Sequence, residues 1–186
     1  MLTHLYRLWL TRFLIATCAL LLLPISCTDL GPETNAGRIV WNTSIDRIAH
    51  GDDSLTVVRK LGPPSAINSG ISPGDAPVAF NGCTLYYTSG SHAGLMIVIW
   101  RQPSSWGVGA RYISAGPPYA GTTREGIGLG STRDEVHRAF GPASESGHST
   151  DWYIGTVNRT MVAYNDSGKV TYIVLTDPEG QGVRTD

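Results

Sequence analysis

Cysteine is scarce in this chain. Of its 186 residues only Cys18, Cys27 and Cys83 carry a thiol, so a framework of disulfides is excluded and stability has to come from a packed core. Signature motifs of common chemistries are missing too. There is no H-E-x-x-H pair and no phosphate-cradling loop with its lysine. The glycine-rich "GIGLGSTR" lacks that lysine and reads as the entry to a helix. His50, His92, His137 and His148 do not stand at metal-ligand spacing with cysteine or carboxylate support. No basic excess exists, which argues against a nucleic-acid partner. No apolar run reaches the roughly 20 residues of a membrane-spanning helix. The expectation is a chain without catalytic cofactor or metal.

What is present begins with the leader. "MLTHLYRLWLTRFLIATCALLLLPISC" holds Arg7 and Arg12 and no acid, then an apolar run from Phe13 to Ile25. It reads as a secretory signal over residues 1–26. Ser26 before Cys27 resembles the lipobox of bacterial lipoproteins, whose cysteine is diacylated and becomes the mature N-terminus; ordinary signal cleavage near Cys27 and an uncleaved anchor are the alternatives. Cleavage there leaves 160 residues with twelve basic and fifteen acidic side chains, a net charge of −3. The polar, Gly- and Pro-containing residues 27–40 read as a tether, and 179–186 as a frayed tail. Cys83 reads as a half-buried strand residue.

Between these lies an internal repeat. Shifting the chain by 79 residues aligns Ile48 with Ile127, Gly51 with Gly130, Val57 with Val136, Arg59 with Arg138, Gly62 with Gly141, Pro63 with Pro142 and Ser65 with Ser144, seven identities in eighteen positions. Each copy spells a short capped helix. Thr132 with Glu135 makes a capping box, and Asp53 occupies the equivalent place. Acids lie early and bases late in the second helix, as the macrodipole favours, and Gly141 then Pro142 stop it. Val136, Ala139 and Phe140, like Val57, Val58 and Leu61, form an apolar stripe. Helices so short need a surface to rest on. Three strand-like runs follow each: "CTLYYTS", "GLMIVIW" and "GARYIS", then "DWYIGTV", "RTMVAYN" and "KVTYIVL". "INSGISPGDAPVAFNG" reads as a loop. Ile48 and Ile127 are assigned to a preceding helical turn in each copy. The expected fold is therefore α+β, two tandem helix-helix-β-meander repeats over residues 41–116 and 117–178, with the helices on one face of an antiparallel sheet.

The phrase carried by Ile127, Gly130, Thr132, Val136, Gly141 and Pro142, followed by Trp152 and Tyr153 and a meander, resembles the SmpA/OmlA outer-membrane assembly lipoproteins and the β-lactamase inhibitor protein. The cysteine at the end of the leader matches the first group, and the tandem arrangement the second. Copy one departs from the phrase at Asp53, and the chain lacks cysteines for the disulfides that the inhibitor uses. The resemblance implies a non-enzymatic binding protein of the cell envelope, or else an inhibitor of an exported enzyme.

Aromatic residues give the candidate surface. Alternation along a strand places Tyr86 and Tyr87 on opposite faces, and likewise Trp152 and Tyr153. With helices on one face, the other is an open surface carrying large amphipathic rings, the residue types that dominate binding hot spots. The candidate contact residues are Tyr86, Trp100, Trp106, Tyr112, Trp152 and Tyr153, with Ser91 and His92 of the loop "TSGSHAG"; the partner is an envelope or secreted protein, and Cys27 supplies the membrane attachment. A hydrolase built on Ser149, His148 and Asp151, or on Ser91 and His92, is the remaining reading; adjacency in sequence does not by itself assemble a triad.

Overall fold

The two short helices fold as their capping residues dictate. In the computed structural model, which describes residues 38–69, 82–101 and 108–176, α1 is Ser54–Leu61 and α2 is Arg133–Phe140. The Asp53 carboxylate accepts the Thr56 N–H at 2.6 Å. In α2 the box is reciprocal: the Glu135 N–H donates to the Thr132 hydroxyl, and the Glu135 carboxylate accepts the Thr132 N–H at 2.7 Å. Gly62 and Gly141 end the helices with nearly identical dihedrals, φ 82 and 81, a positive φ that L side chains resist.

Eleven strands accompany them among the described residues: β1 (Ile39–Val40), β2 (Ser44–Ile45), β3 (Ile48–Ala49), β4 (Ala66–Ser69), β5 (Gly82–Tyr87), β6 (Leu95–Trp100), β7 (Gly109–Ala115), β8 (Glu145–Ser146), β9 (Thr150–Ile154), β10 (Arg159–Tyr164) and β11 (Val170–Thr176). β1 to β3 form a small sheet. The others form one antiparallel sheet in the order β4-β5-β6-β7-β11-β10-β9-β8. Each copy thus contributes four consecutive strands, and the copies meet where β7 pairs with β11.

This corrects the expected α+β arrangement of helix-helix-β-meander repeats. The molecule is mostly antiparallel sheet with one α-helix per copy, not a helix pair. Ile48 lies in β3. Asp46 and Arg47 both take left-handed conformations, φ 49 and 66, which closes Ile45 against Ile48 in a two-residue hairpin turn whose twist matches its strands. Ile127 lies in an irregular segment tied by the Ile127 N–H to Thr123 and by a bridge from Thr122 to Gly128; Gly121, Gly126 and Gly128 disfavour a helix there. Both isoleucines still reach the core. Each meander also carries an extra leading strand, β4 or β8. β4, all but Ala66, falls within the stretch assigned to a loop, because Ile67 and its neighbours find a partner in β5 that local pattern does not announce.

Backbone bonding repeats from copy to copy. The Ser65 N–H donates to the Tyr86 carbonyl as the Ser144 N–H does to that of Trp152, both at 2.8 Å; the Gly51 N–H bonds Ala110 as the Gly130 N–H bonds Val170, again both at 2.8 Å. The Ser65 and Ser144 hydroxyls accept the N–H groups of Thr88 and Ile154. Gly109 packs so closely on the Gly51 backbone that a β-carbon has no room there.

One core serves both copies. Val57 and Leu61 of α1 and Val136 of α2 bury themselves with Ile39, Ile45 and Ile48 of the small sheet against the inner sheet face, where Leu85, Ile97, Ile113 and Ile173 are inaccessible. Trp41 stacks on Phe140 at 3.7 Å between ring centroids and meets Tyr153 edge-on at 5.0 Å. The turn between β1 and β2, at the start of copy one, therefore closes the core of copy two. Asn42 extends this tie: its N–H donates to the Thr160 hydroxyl, and its carbonyl accepts from the Asn158 amide.

Candidate functional site

The outer sheet face follows from register. Direct cross-strand partners place Tyr86, Met96, Ser114, Val174, Met161 and Trp152 in one row from β5 to β9. The row is near-palindromic because the copies are joined through β7 and β11: Tyr86 answers Trp152, and Met96 answers Met161. Tyr86, Met96, Met161 and Trp152 are half-buried, while Ser114 and Val174 at the centre are 3% and 1% exposed. Charge is sparse. Glu145 is the edge partner of Trp152, and Arg159 sits one row further along, opposite Ile154. The Arg159 Nε is buried without a hydrogen-bond partner. Tyr172, 48% exposed, lays its ring on Gly116. Burial holds the Tyr112 phenol above its usual range.

The structure sorts the sequence candidates. Tyr86, Trp100, Tyr112 and Trp152 take outer-face positions. Tyr153 does not: it is turned into the core, 5% exposed. Burial pushes its hydroxyl up to about 12, and the hydroxyl has no partner. Tyr87, its counterpart, donates to the Gly62 carbonyl at 3.2 Å. Ser91 is exposed in a short 3-10 turn, Gly90–His92. The His92 side chain turns inward from the same turn. Cys27 and Trp106 lie outside the described residues. Cys83 is fully buried rather than half-buried.

Two polar hubs lie on the inner side, and sequence reading found neither. Asp46, 1% exposed, accepts the Arg38 N–H and the Tyr119 hydroxyl on one oxygen, each at 3.0 Å, and meets His92 Nδ1 at 2.7 Å on the other. It joins the small sheet, the turn after β5 and the segment between the copies. Burial, and then the Asp46 charge, push the Tyr119 phenol far up. Asp151, fully buried, is gripped by the Arg133 guanidinium on both oxygens, by His137 Nε2 at 2.8 Å and by the Tyr164 hydroxyl at 3.0 Å. Burial works against its charge, but hydrogen bonds from Arg133, Ser146, His137 and Tyr164 outweigh it and hold the carboxyl far below the usual range. An ionised carboxylate only accepts, so His137 carries its proton on Nε2.

These hubs dissolve the triad-like sets. Asp151 faces His137 and Arg133, not His148, which offers only its backbone carbonyl to Arg133 at 3.3 Å. His92 is engaged by Asp46, not by Ser91. The signal that a reader could have used is alternation: Asp151 beside outward Trp152 has to point inward, and a buried acid requires partners.

Comparison with known proteins adds little. No family model and no curated protein matches the chain. An extracellular protein containing an SCP domain from Bacillus anthracis is similar over 69% of this chain at 11% identity and a TM-score of 0.44; the match spans 44% of that protein, less than half its length. A DUF4309 family protein from Bacillus subtilis is similar over 77% of this chain and 90% of its own, again at 11% identity and a TM-score of 0.44. Among the described residues no helix is long and apolar enough to cross a membrane, and no cluster of His, Cys, Asp or Glu is arranged to hold a metal ion.

Proposed function

We propose that this chain is an exported, lipid-anchored binding module that holds another envelope protein against its outer sheet face and performs no catalysis itself, in a role of envelope assembly or maintenance. The observation that carries the reading is the row Tyr86, Met96, Met161 and Trp152: two aromatic rings and two flexible thioethers, all half-exposed on a nearly charge-free face. Rings with a polar edge bury large area at low entropic cost, and methionine adapts to irregular partners. The leader, with Ser26 before Cys27, supports export and anchoring; the mass of the protein from a membrane fraction tests that part through a diacylglycerol adduct on Cys27.

The binding reading is tested by a photo-crosslinking residue placed at Tyr86 or Trp152 in intact cells, with Leu55 as the comparison site. Leu55 is 73% exposed on α1, a helix that packs on the inner face. A discrete adduct from the outer-face positions and none from Leu55 is expected. With the crosslinking residue at Met96 instead, paired replacement of Tyr86 and Trp152 by alanine removes the adduct, at about 2 kcal/mol or more per hot-spot ring. Equal labelling from all three positions defeats the reading.

A further inference from the structure

The duplication supplies an internal control for the Asp151 hub. Superposing the bonding patterns sets Arg133 against Ser54 and His137 against Val58 in the helices. Trp152 against Tyr86 makes Leu85 the counterpart of Asp151, and the pairing of β9 with β10 and β5 with β6 makes Ile99 the counterpart of Tyr164. Copy one builds this position from Ser54, Val58, Leu85 and Ile99, with Leu85 and Ile99 each 2% exposed. The fold therefore does not require a charged cluster there. Replacing a buried ion pair by packed apolar groups is often neutral or better for stability, so stability alone does not explain the ions.

What differs is the edge strand. β4 has four partners in β5, but β8 has two in β9, Glu145 with Trp152 and Ser146 with Asp151. Arg133 makes up the deficit. Besides its fork on Asp151, the guanidinium donates to the Gly147 carbonyl at 2.9 Å and the His148 carbonyl at 3.3 Å, and lies over the Tyr164 ring at 5.0 Å. One planar cation thus binds the turn between β8 and β9 and the residue before Trp152.

We propose that Arg133 is a positioning residue: from the first turn of α2 it clamps the β8–β9 edge in register and so fixes Trp152 on the outer face. The inference rests on the outer-face reading only for the use to which Trp152 is put. Hydrogen exchange on the full chain tests it. In Arg133→Met the amides of Ser144 and Gly147, which bond Trp152 and Thr150, exchange at least tenfold faster, while that of Ser65 in copy one is unchanged. Arg133→Lys restores charge without the fork and remains fast. Should Met unfold the chain, replacing Arg133, His137, Asp151 and Tyr164 together by Ser, Val, Leu and Ile leaves no unpaired buried ion, and the same edge amides are expected to quicken in a folded protein. Wild-type protection of the edge in that fourfold variant, full rescue by lysine, or an equal rise in both copies overturns the proposal. If the edge loosens yet crosslinking from the Tyr86 position is undiminished, the clamp stands and the adhesive role of Trp152 falls.

Discussion

Replacing Asp151 by asparagine tests the physics of the second hub most directly. The carboxylate receives three donors on Oδ2, from Arg133, His137 and Tyr164, and another Arg133 N–H on Oδ1. An amide turned to keep its oxygen among the three donors points its NH2 at the guanidinium, donor against donor, and removes the charge that balances Arg133. Removing one partner of a buried, hydrogen-bonded pair costs about 3–5 kcal/mol. The Arg133 side chain is 30% exposed, and hydration of that cation places the loss near the lower end, about 3 kcal/mol. At about 2–4 °C per kcal/mol for a chain of this size, the melting temperature falls by about 6–12 °C. The loss also depends on pH in a defined sense. Asp151 has a depressed folded-state pKa, so its contribution is complete above the unfolded carboxylate value, about 4, and fades as pH falls below it towards the folded value. Between pH 5 and pH 3 the gap between wild type and Asp151→Asn narrows by about 1 kcal/mol. Urea unfolding followed by tryptophan fluorescence at the two pH values measures both quantities. A loss under about 1 kcal/mol at pH 7, or a gap that does not change between pH 5 and pH 3, would refute the reasoning.

Tyr87→Phe removes a bonded hydroxyl and costs about 1 kcal/mol, whereas Tyr153→Phe, whose hydroxyl is buried and unpaired, is neutral or stabilising; paired denaturation curves decide. Thr132→Ala opens the α2 capping box for a loss of about 1 kcal/mol, read as a lower urea midpoint with unchanged slope. Gly109→Ala forces a β-carbon into the Gly51 backbone at φ 100, and soluble yield and melting temperature both drop, whereas Gly126→Ala, at φ 83 in open space, pays about 1 kcal/mol for its backbone alone. Ile113→Ala, fully buried where the two copies join, loses about 2–5 kcal/mol, against under about 0.5 kcal/mol for the exposed Leu55→Ala.

The legible parts of this molecule are those governed by neighbours in sequence. Asp53, Thr132 and Glu135 cap the helices because a cap needs only the next three residues, and Gly62 and Gly141 stop them for equally local reasons. The six long strands match their alternating runs. Ile48 escapes a local reading because the hairpin containing it depends on two left-handed residues, Asp46 and Arg47, and nothing local announces that pair; the Asp46 carboxylate is held there by Tyr119, 73 positions away. β4 and β8 were invisible for the same reason, since each is a strand only because β5 or β9 lies beside it.

The site divides along this line. The outer-face positions of Tyr86 and Trp152 follow from period two alone, but their membership of one row with Met96 and Met161 requires β7 to pair with β11, a long-range choice. That choice has a consequence for function. Joining the copies through their last strands turns two separate meanders into one surface, and it places equivalent residues at mirror positions about Ser114 and Val174 instead of on opposite sides of the molecule. A duplicated sequence thereby becomes one doubled row on the outer face, the surface proposed for the partner. Its two ends are secured by different means, four rungs of ladder at β4 and an arginine clamp at β8, so the β8 end is the one that a single side-chain change can release.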